Sequence, residues 1–284
     1  MKRSLITLLV LAGTALAEST TTLYEPLKES GWTLASERNK EGNNLAKQDT
    51  TVGKVYSDDP YWKRPYATYD FSEAITISDK SESLTFSFQL DLSLKAAHNS
   101  LMTVAFEGSS AGVASTIMMG YGAGYTTNNT HFKAAVVNNN TSPAYLFDTS
   151  WNSDKYNCTS STTLGSLTGS EDEDNYTNIT STFTGTIAWS DASNAFVLTL
   201  TQSNAAVEGV NSATFVLGDS YSLEGISIAM DGNSDNERKD YLSVSNMTIS
   251  KVVEATTIPT VPEPATATLS LLALAGLAAR RRRN

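Results

Sequence analysis

Asp231, Asn233 and Asp235 stand at alternate positions in the string DGNSDNERKD, from Asp231 to Asp240. Their side-chain oxygens are of the kind that converge on Ca²⁺ from within a turn, and Ca²⁺ is the ion this spacing suits. The EF-hand register does not continue, because its Gly and Glu positions hold Asn236 and Leu242. Without an ion, the same string reads as a polar hairpin turn. A second chemistry is offered by aromatic rings set beside carboxylates and amides. Tyr61, Trp62 and Tyr66 lie among Asp58, Asp59, Lys63 and Arg64, while Tyr145, Trp151 and Tyr156 lie near Asp148, Asn152 and Asp154. Pyranose C–H faces stack on such rings while neighbouring polar groups bond the hydroxyls. Tyr61, Trp62, Tyr145, Asp148, Trp151 and Asn152 are therefore the candidate ligand residues for a neutral sugar, with core aromatics as the alternative reading.

No catalytic residue is assigned. The only histidines are His98 and His131, and neither lies in a G-x-S-x-G or comparable frame; His131 reads as a structural residue at a strand start. The single cysteine, Cys158, rules out an intrachain disulfide and Cys-based zinc sites. Glu171 to Asp174 is a contiguous acidic run in a polar stretch, which reads as a solvated tip.

Strands must position these groups. Leu84, Phe86, Phe88, Leu90 and Leu92 alternate with Thr85, Ser87, Gln89 and Asp91, so five apolar side chains share one face. Ile187 and Trp189, then Phe196, Leu198 and Leu200, flank Ser190 to Asn194, which forms a hairpin loop. Further strands are predicted at Tyr66–Phe71, Leu101–Phe106, Ser115–Tyr121, His131–Val137, Thr214–Leu217, Ile226–Met230 and Tyr241–Ser250. In the last, Leu242 and Val244 share a parity that switches to Met247 and Ile249, and a bulge near Ser245 and Asn246 restores both pairs to one face. About ten short strands predict an all-β chain, a two-sheet antiparallel β-sandwich, because a single open sheet leaves one apolar face wet. Helix is expected only at the chain ends. Asn138 to Asn178 reads as an elaborated loop, with a disordered insertion as the alternative.

The first 17 residues combine Lys2 and Arg3, an apolar run from Leu5 to Leu11, and the small pair Ala15 and Ala17. This is the pattern of a secretory signal peptide, with signal peptidase cutting after Ala17. Three segments follow: a signal at 1–17, a sandwich domain at 18–258 and a tail at 259–284. Without Lys2, Arg3 and Arg280–Arg283, 14 of the 20 basic residues remain; without Glu263, 29 of the 30 acidic ones remain. The body from Glu18 to Val261 is therefore at −15. A field of that sign disfavours nucleic acid and suits cations and neutral glycans.

The strings FTGTIAWSDASNAFVLTLTQ, from Phe183, and DYLSVSNMTISKV, from Asp240, resemble the central hairpin and closing strand of laminin-G-like, concanavalin A-like jelly rolls. The resemblance runs from Gly31 to Val253. It implies glycan binding, protein binding or polysaccharide hydrolysis, among which a fold does not choose. The glycanases of that group carry an E-x-D-x-x-E strand, and no such spacing occurs here.

The string VPEPATATLSLLALAGLAARRRRN, from Val261, resembles the PEP-CTERM sorting signal, also known as the ice-binding-protein C-terminal domain. Pro262, Glu263 and Pro264 hold an extended, protease-accessible segment. The apolar run enters the bilayer as a transmembrane helix, and Arg280, Arg281, Arg282 and Arg283 stay cytoplasmic. Ala265 to Ala279 spans about 22 Å as helix against a hydrocarbon core of about 30 Å, a marginal anchor. The resemblance implies a transient stay in the inner membrane of a Gram-negative-type bacterium until an exosortase-type transpeptidase cuts near Pro-Glu-Pro. It does not imply ice binding, since the body has no repeat of regularly spaced Thr.

These observations predict an exported, surface or extracellular-matrix β-sandwich that is lectin-like and binds or organises polysaccharide. The alternatives are a structural matrix protein without a ligand and a divergent polysaccharide hydrolase or lyase.

Overall fold

The computed structural model describes residues 19–36, 46–57, 64–95, 101–124, 127–138, 158–168, 176–203, 212–231 and 241–255. Thr20–Val253 forms one compact unit; the other comprises 1–19 and 254–284, of which only Ser19, Glu254 and Ala255 are described.

Among the described residues the unit is built from fifteen strands and one 3₁₀ turn at Pro26–Lys28. The early strands are β1 Thr20–Tyr24, β2 Thr33–Ser36, β3 Lys47–Asp49, β4 Lys54–Ser57 and β5 Pro65–Ile77. The middle ones are β6 Glu82–Lys95, β7 Leu101–Ser110, β8 Val113–Gly124, β9 Thr127–Asn138 and β10 Cys158–Thr168. The last are β11 Tyr176–Ser190, β12 Ala195–Gln202, β13 Ser212–Gly218, β14 Tyr221–Asp231 and β15 Tyr241–Val253.

One sheet has the order β13-β12-β11-β6-β15-β4-β3, with β1 also paired to β15; the other has the order β10-β9-β8-β7-β14-β5-β2. All of the pairings are antiparallel. Strands distant in sequence sit at the centre of each sheet, β15 beside β6 and β14 between β5 and β7. The predicted two-sheet antiparallel sandwich is the fold.

The alternation of β6 carries the core. Leu84, Phe86, Phe88, Leu90 and Leu92 are all buried, and so are Phe183, Ile187, Leu198, Leu200, Val244 and Ile249 of the same sheet. From the opposite sheet come Val104, Phe106, Ile117, Val136, Ile226 and Ile228. Phe86 stacks on Phe106 across the layers at 4.2 Å between ring centroids, and Phe88 stacks on Phe183 at 5.3 Å. The expected bulge in β15 lies between Ser245 and Thr248, where three steps oppose two on β6. Asn246 takes a positive φ of 53°, and Met247 and Ile249 return to the core.

The fold differs from the sequence expectation in two places. Cys158–Thr168, read as part of a long loop, is β10 and pairs with β9 along its length. Its backbone completes a ladder that needs no apolar alternation, so a Ser- and Thr-rich segment left no period-two signal. Strands β1 to β4 were not anticipated either; they are short, and β1 is mostly exposed. Among the described residues the one 3₁₀ turn lies inside the sandwich, at Pro26–Lys28.

Candidate functional site

Residues of β7 alternate between two environments. Met102, Val104 and Phe106 enter the core, so Thr103, Ala105, Glu107 and Ser109 face the other way. On this outer face the register aligns Asp70 of β5, Gly225 of β14 and Glu107 of β7 in one rung. The next rung is Thr68, Ser227, Ala105, Met118 and Ala135. Thr103, Ala105, Met118, Ala135, Ser227 and Ala229 are buried although they lie outside the main core. Thr103 Oγ1 finds no hydrogen-bond partner among the described residues.

The face opens to solvent around Asp70 and Glu224, both exposed, with Glu107 and Ser109 half-buried. Here hydroxyls and carboxylates interleave. Ser109 donates to Glu224 Oε1 at 2.8 Å, Ser227 donates to Glu107 Oε1, and the hydroxyls of Thr76 and Ser222 are 2.8 Å apart. Gly225 forms the floor: a Cβ there would stand 3.2 Å from Asp70 Oδ1 and 3.0 Å from the Tyr69 carbonyl oxygen. Burial pushes the Glu107 carboxyl above the ordinary value. Its bond from Ser227 opposes the rise, and the nearby Asp70 and Glu224 charges add to it. The strip can therefore accept hydrogen bonds at Asp70 and Glu224 and hold a proton at Glu107 more readily than an exposed glutamate does.

A second feature lies on the opposite side of the same stretch of β5. Opposite Leu223 to Gly225, β5 runs from Ile75 to Asp70, so Phe71, Ser72, Glu73 and Ala74 bulge against Glu224 alone. Leu23, Tyr24, Glu25, Pro26, Glu29, Tyr69 and Phe71 line a cleft of about 230 Å³ beside this bulge. No signal in the sequence pointed to it, because its walls come from β1, the 3₁₀ turn and β5.

The residues expected to bind sugar, Tyr61, Trp62, Tyr145, Asp148, Trp151 and Asn152, lie outside the described residues. So do Ala15 and Ala17, the tail residues Pro262 to Pro264 and Arg280 to Arg283, and the apolar run expected to span the membrane. Asn233 and Asp235 lie outside them as well. Asp231 is described at the end of β14, where its Oδ2 accepts from Arg64 Nε at 2.9 Å. Among the described residues no three His, Cys, Asp or Glu side chains are grouped to hold a metal ion. No described helix is long and apolar enough to cross a membrane.

Residues 260–283 match the PEP-CTERM protein-sorting motif. The chain carries a PEP-CTERM sorting motif. The motif implies an exported, surface-directed protein processed by an exosortase. No curated protein matches this chain in sequence. Solved structures similar to it include the CBM2 module of the evolved Dit of Lactobacillus casei BL23 phage J-1. That likeness has 11% identity and a TM-score of 0.43, over 84% of this chain and 99% of that one. Arcelin-5, a lectin-like defense protein from Phaseolus vulgaris, has 10% identity and a TM-score of 0.41, over 83% and 99%. The Lotus tetragonolobus seed lectin has 14% identity and a TM-score of 0.36, over 83% and 99%. The sandwich assignment rests on the chain's own strand order.

Proposed function

We propose that the protein is an exported, surface or extracellular-matrix sandwich that binds or organises polysaccharide on the outer face of its seven-stranded sheet. The observation that carries this reading is the rung Asp70, Gly225, Glu107, in which a floor without a side chain separates two carboxylates. Strand spacing puts their Cα atoms about 10 Å apart. A sugar ring laid over Gly225 donates hydroxyls to the carboxylates, while Ser109 and Ser227, whose protons are committed to Glu224 and Glu107, hold those acceptors in place. Such a surface orients a neutral chain through hydrogen bonds rather than charge pairing.

In this reading signal peptidase releases the chain after Ala17, the tail pauses in the inner membrane, and an exosortase-type transpeptidase cuts near Pro262-Glu263-Pro264. The body then reaches the cell surface or matrix. Ca²⁺ at Asp231, Asn233 and Asp235 remains part of the proposal, with the Arg64 pair as its competitor for Asp231. Tyr61, Trp62, Tyr145, Asp148, Trp151 and Asn152 are proposed to add stacking and amide contacts.

A glycan panel probed with the purified chain, with and without Ca²⁺, tests the reading. Binding should fall at least tenfold in Gly225→Val, which fills the floor, and in Asp70→Asn. Absence of wild-type binding to every glycan, or binding untouched by both changes, would overturn it.

A second reading is favoured by the pair of carboxylates itself. Glu107, held toward its protonated form, suits a general acid, and Asp70 across Gly225 suits a base. Release of reducing ends from a bound polysaccharide, lost in Glu107→Gln while binding persists, would establish hydrolysis.

A further inference from the structure

The cleft beside the β5 bulge has a chemistry unlike that of the outer face. Its aromatic wall is a chain of edge-to-face steps. Tyr24 meets Phe71 at 6.1 Å and 79°, and Phe71 meets Tyr69 at 5.2 Å and 88°. Each step turns the next ring through nearly a right angle, so the three rings form the walls of a corner instead of one flat platform. Tyr69 is backed in turn by Trp32 at 5.4 Å.

The rim opposite is acidic and fixed. Trp32 Nε1 donates to the Pro26 carbonyl at 2.7 Å, and Gln48 Nε2 donates to the carbonyls of Leu27 and Glu29 at 3.1 and 2.7 Å. These bonds hold the turn that carries Glu25 and Glu29. Glu25 is paired with Lys28 at 2.6 Å, whereas the Glu29 carboxylate has no ion-pair partner among the described residues. Glu29 also lies close enough to Tyr69 to add to the rise in the phenol pKa that burial causes.

We propose that this corner binds an organic cation, a quaternary ammonium head group seated against Tyr24, Phe71 and Tyr69 with Glu29 facing its charge. Ring faces attract a cation through their quadrupole, and a methylated ammonium has no N–H that the rings would leave unbonded. A bare metal ion is a poor occupant, since it wants a full oxygen shell and finds aromatic carbon on one side. A neutral pyranose stacks best on a flat platform, which perpendicular rings do not offer. The net charge of −15 on the body favours a positive ligand throughout.

Calorimetric titration of the purified chain with choline, and with its uncharged isostere 3,3-dimethyl-1-butanol, tests the site. Choline should bind, and the isostere at least tenfold more weakly. Phe71→Leu keeps an apolar packing group but removes the ring, and should weaken choline at least fivefold; Glu29→Gln should do so at least threefold, both in chains that still unfold in one cooperative transition. Sedimentation with phosphatidylcholine vesicles, against phosphatidylglycerol vesicles, separates the sources: capture by the former assigns a lipid head group, and choline binding without capture assigns a soluble cation. Equal binding of choline and the isostere, preference for glucose, or no choline binding by a folded chain would overturn the proposal. Choline binding unchanged in Phe71→Leu and Glu29→Gln would overturn it too. Asp70→Asn should leave choline binding unchanged, which keeps this test apart from that of the outer face.

Discussion

Ser227 of β14 donates its hydroxyl to the Glu107 carboxylate of the neighbouring β7, on a face where Glu107 also meets the fields of Asp70 and Glu224. One hydroxyl thus supports a carboxylate that its surroundings otherwise push toward protonation. The arrangement ties the chemistry of the outer face to the stability of the sheet.

The linkage has a definite sign. Glu107 titrates higher in the folded chain than in the unfolded one, so the folded state binds the proton more tightly. Its contribution to stability is present below the unfolded value of about 4.3 and is lost as pH rises through the raised folded value. Glu107→Gln should flatten this part of the stability–pH curve, and Ser227→Ala should extend the decline to higher pH. Thermal melts from pH 4 to 8 of the three proteins check it; superimposable curves for Glu107→Gln and wild type would contradict it.

Gly185 leaves the space that Phe86 occupies. A Cβ at 185 would stand 2.0 Å from Phe86 Cζ, in the centre of the stacked aromatic core. Gly185→Ala should cost about 1–3 kcal/mol of stability. Adding Phe86→Leu should recover part of that loss, because the two sites share one volume. Denaturant midpoints of the single and double variants, read as a cycle, measure the coupling.

Leu198 is fully buried and Thr199 is exposed on the same strand. Leu198→Asp should therefore destabilise the sandwich by several kcal/mol, as expected for an unpaired charge placed in a core. Thr199→Asp should cost less than about 1 kcal/mol. Equal effects on the thermal midpoint would show that β12 is not one-sided.

The tail separates two modes of handling. If Pro262-Glu263-Pro264 is the processing element, its replacement by alanines should leave export intact and let an uncut form accumulate in the inner membrane fraction. Deleting Arg280 to Arg283 should instead disturb topology, since about 15 apolar residues retain a span poorly without a charged stop. Fractionation with intact-mass measurement distinguishes the variants; a mature wild-type species still carrying Arg283 would refute processing.

Several features were legible in the residues alone because each depends on neighbours in sequence. Period-two alternation put Leu84 to Leu92 on one face, the parity switch placed the bulge at Asn246, and the residues from Val261 onward carried the sorting motif that 260–283 match. Local chemistry determines these without reference to the rest of the chain. The order of strands was not determined in that way. It needs β14 to lie between β5 and β7, and β15 beside β6, contacts made across long stretches of chain. The rung Asp70, Gly225, Glu107 exists only because of that order. In the sequence these are three residues of ordinary type, and cross-strand register makes them a site. The aromatic corner depends still more on the tertiary fold: a bulge in β5 that no local signal announced turns Phe71 toward Tyr24, a residue of the opposite sheet. Propensity and alternation act over a few residues, whereas register and bulge position minimise the energy of the packed sheets as a whole. The chain alone therefore specified a sandwich and its tail, and only the folded structure decided which side chains meet on it.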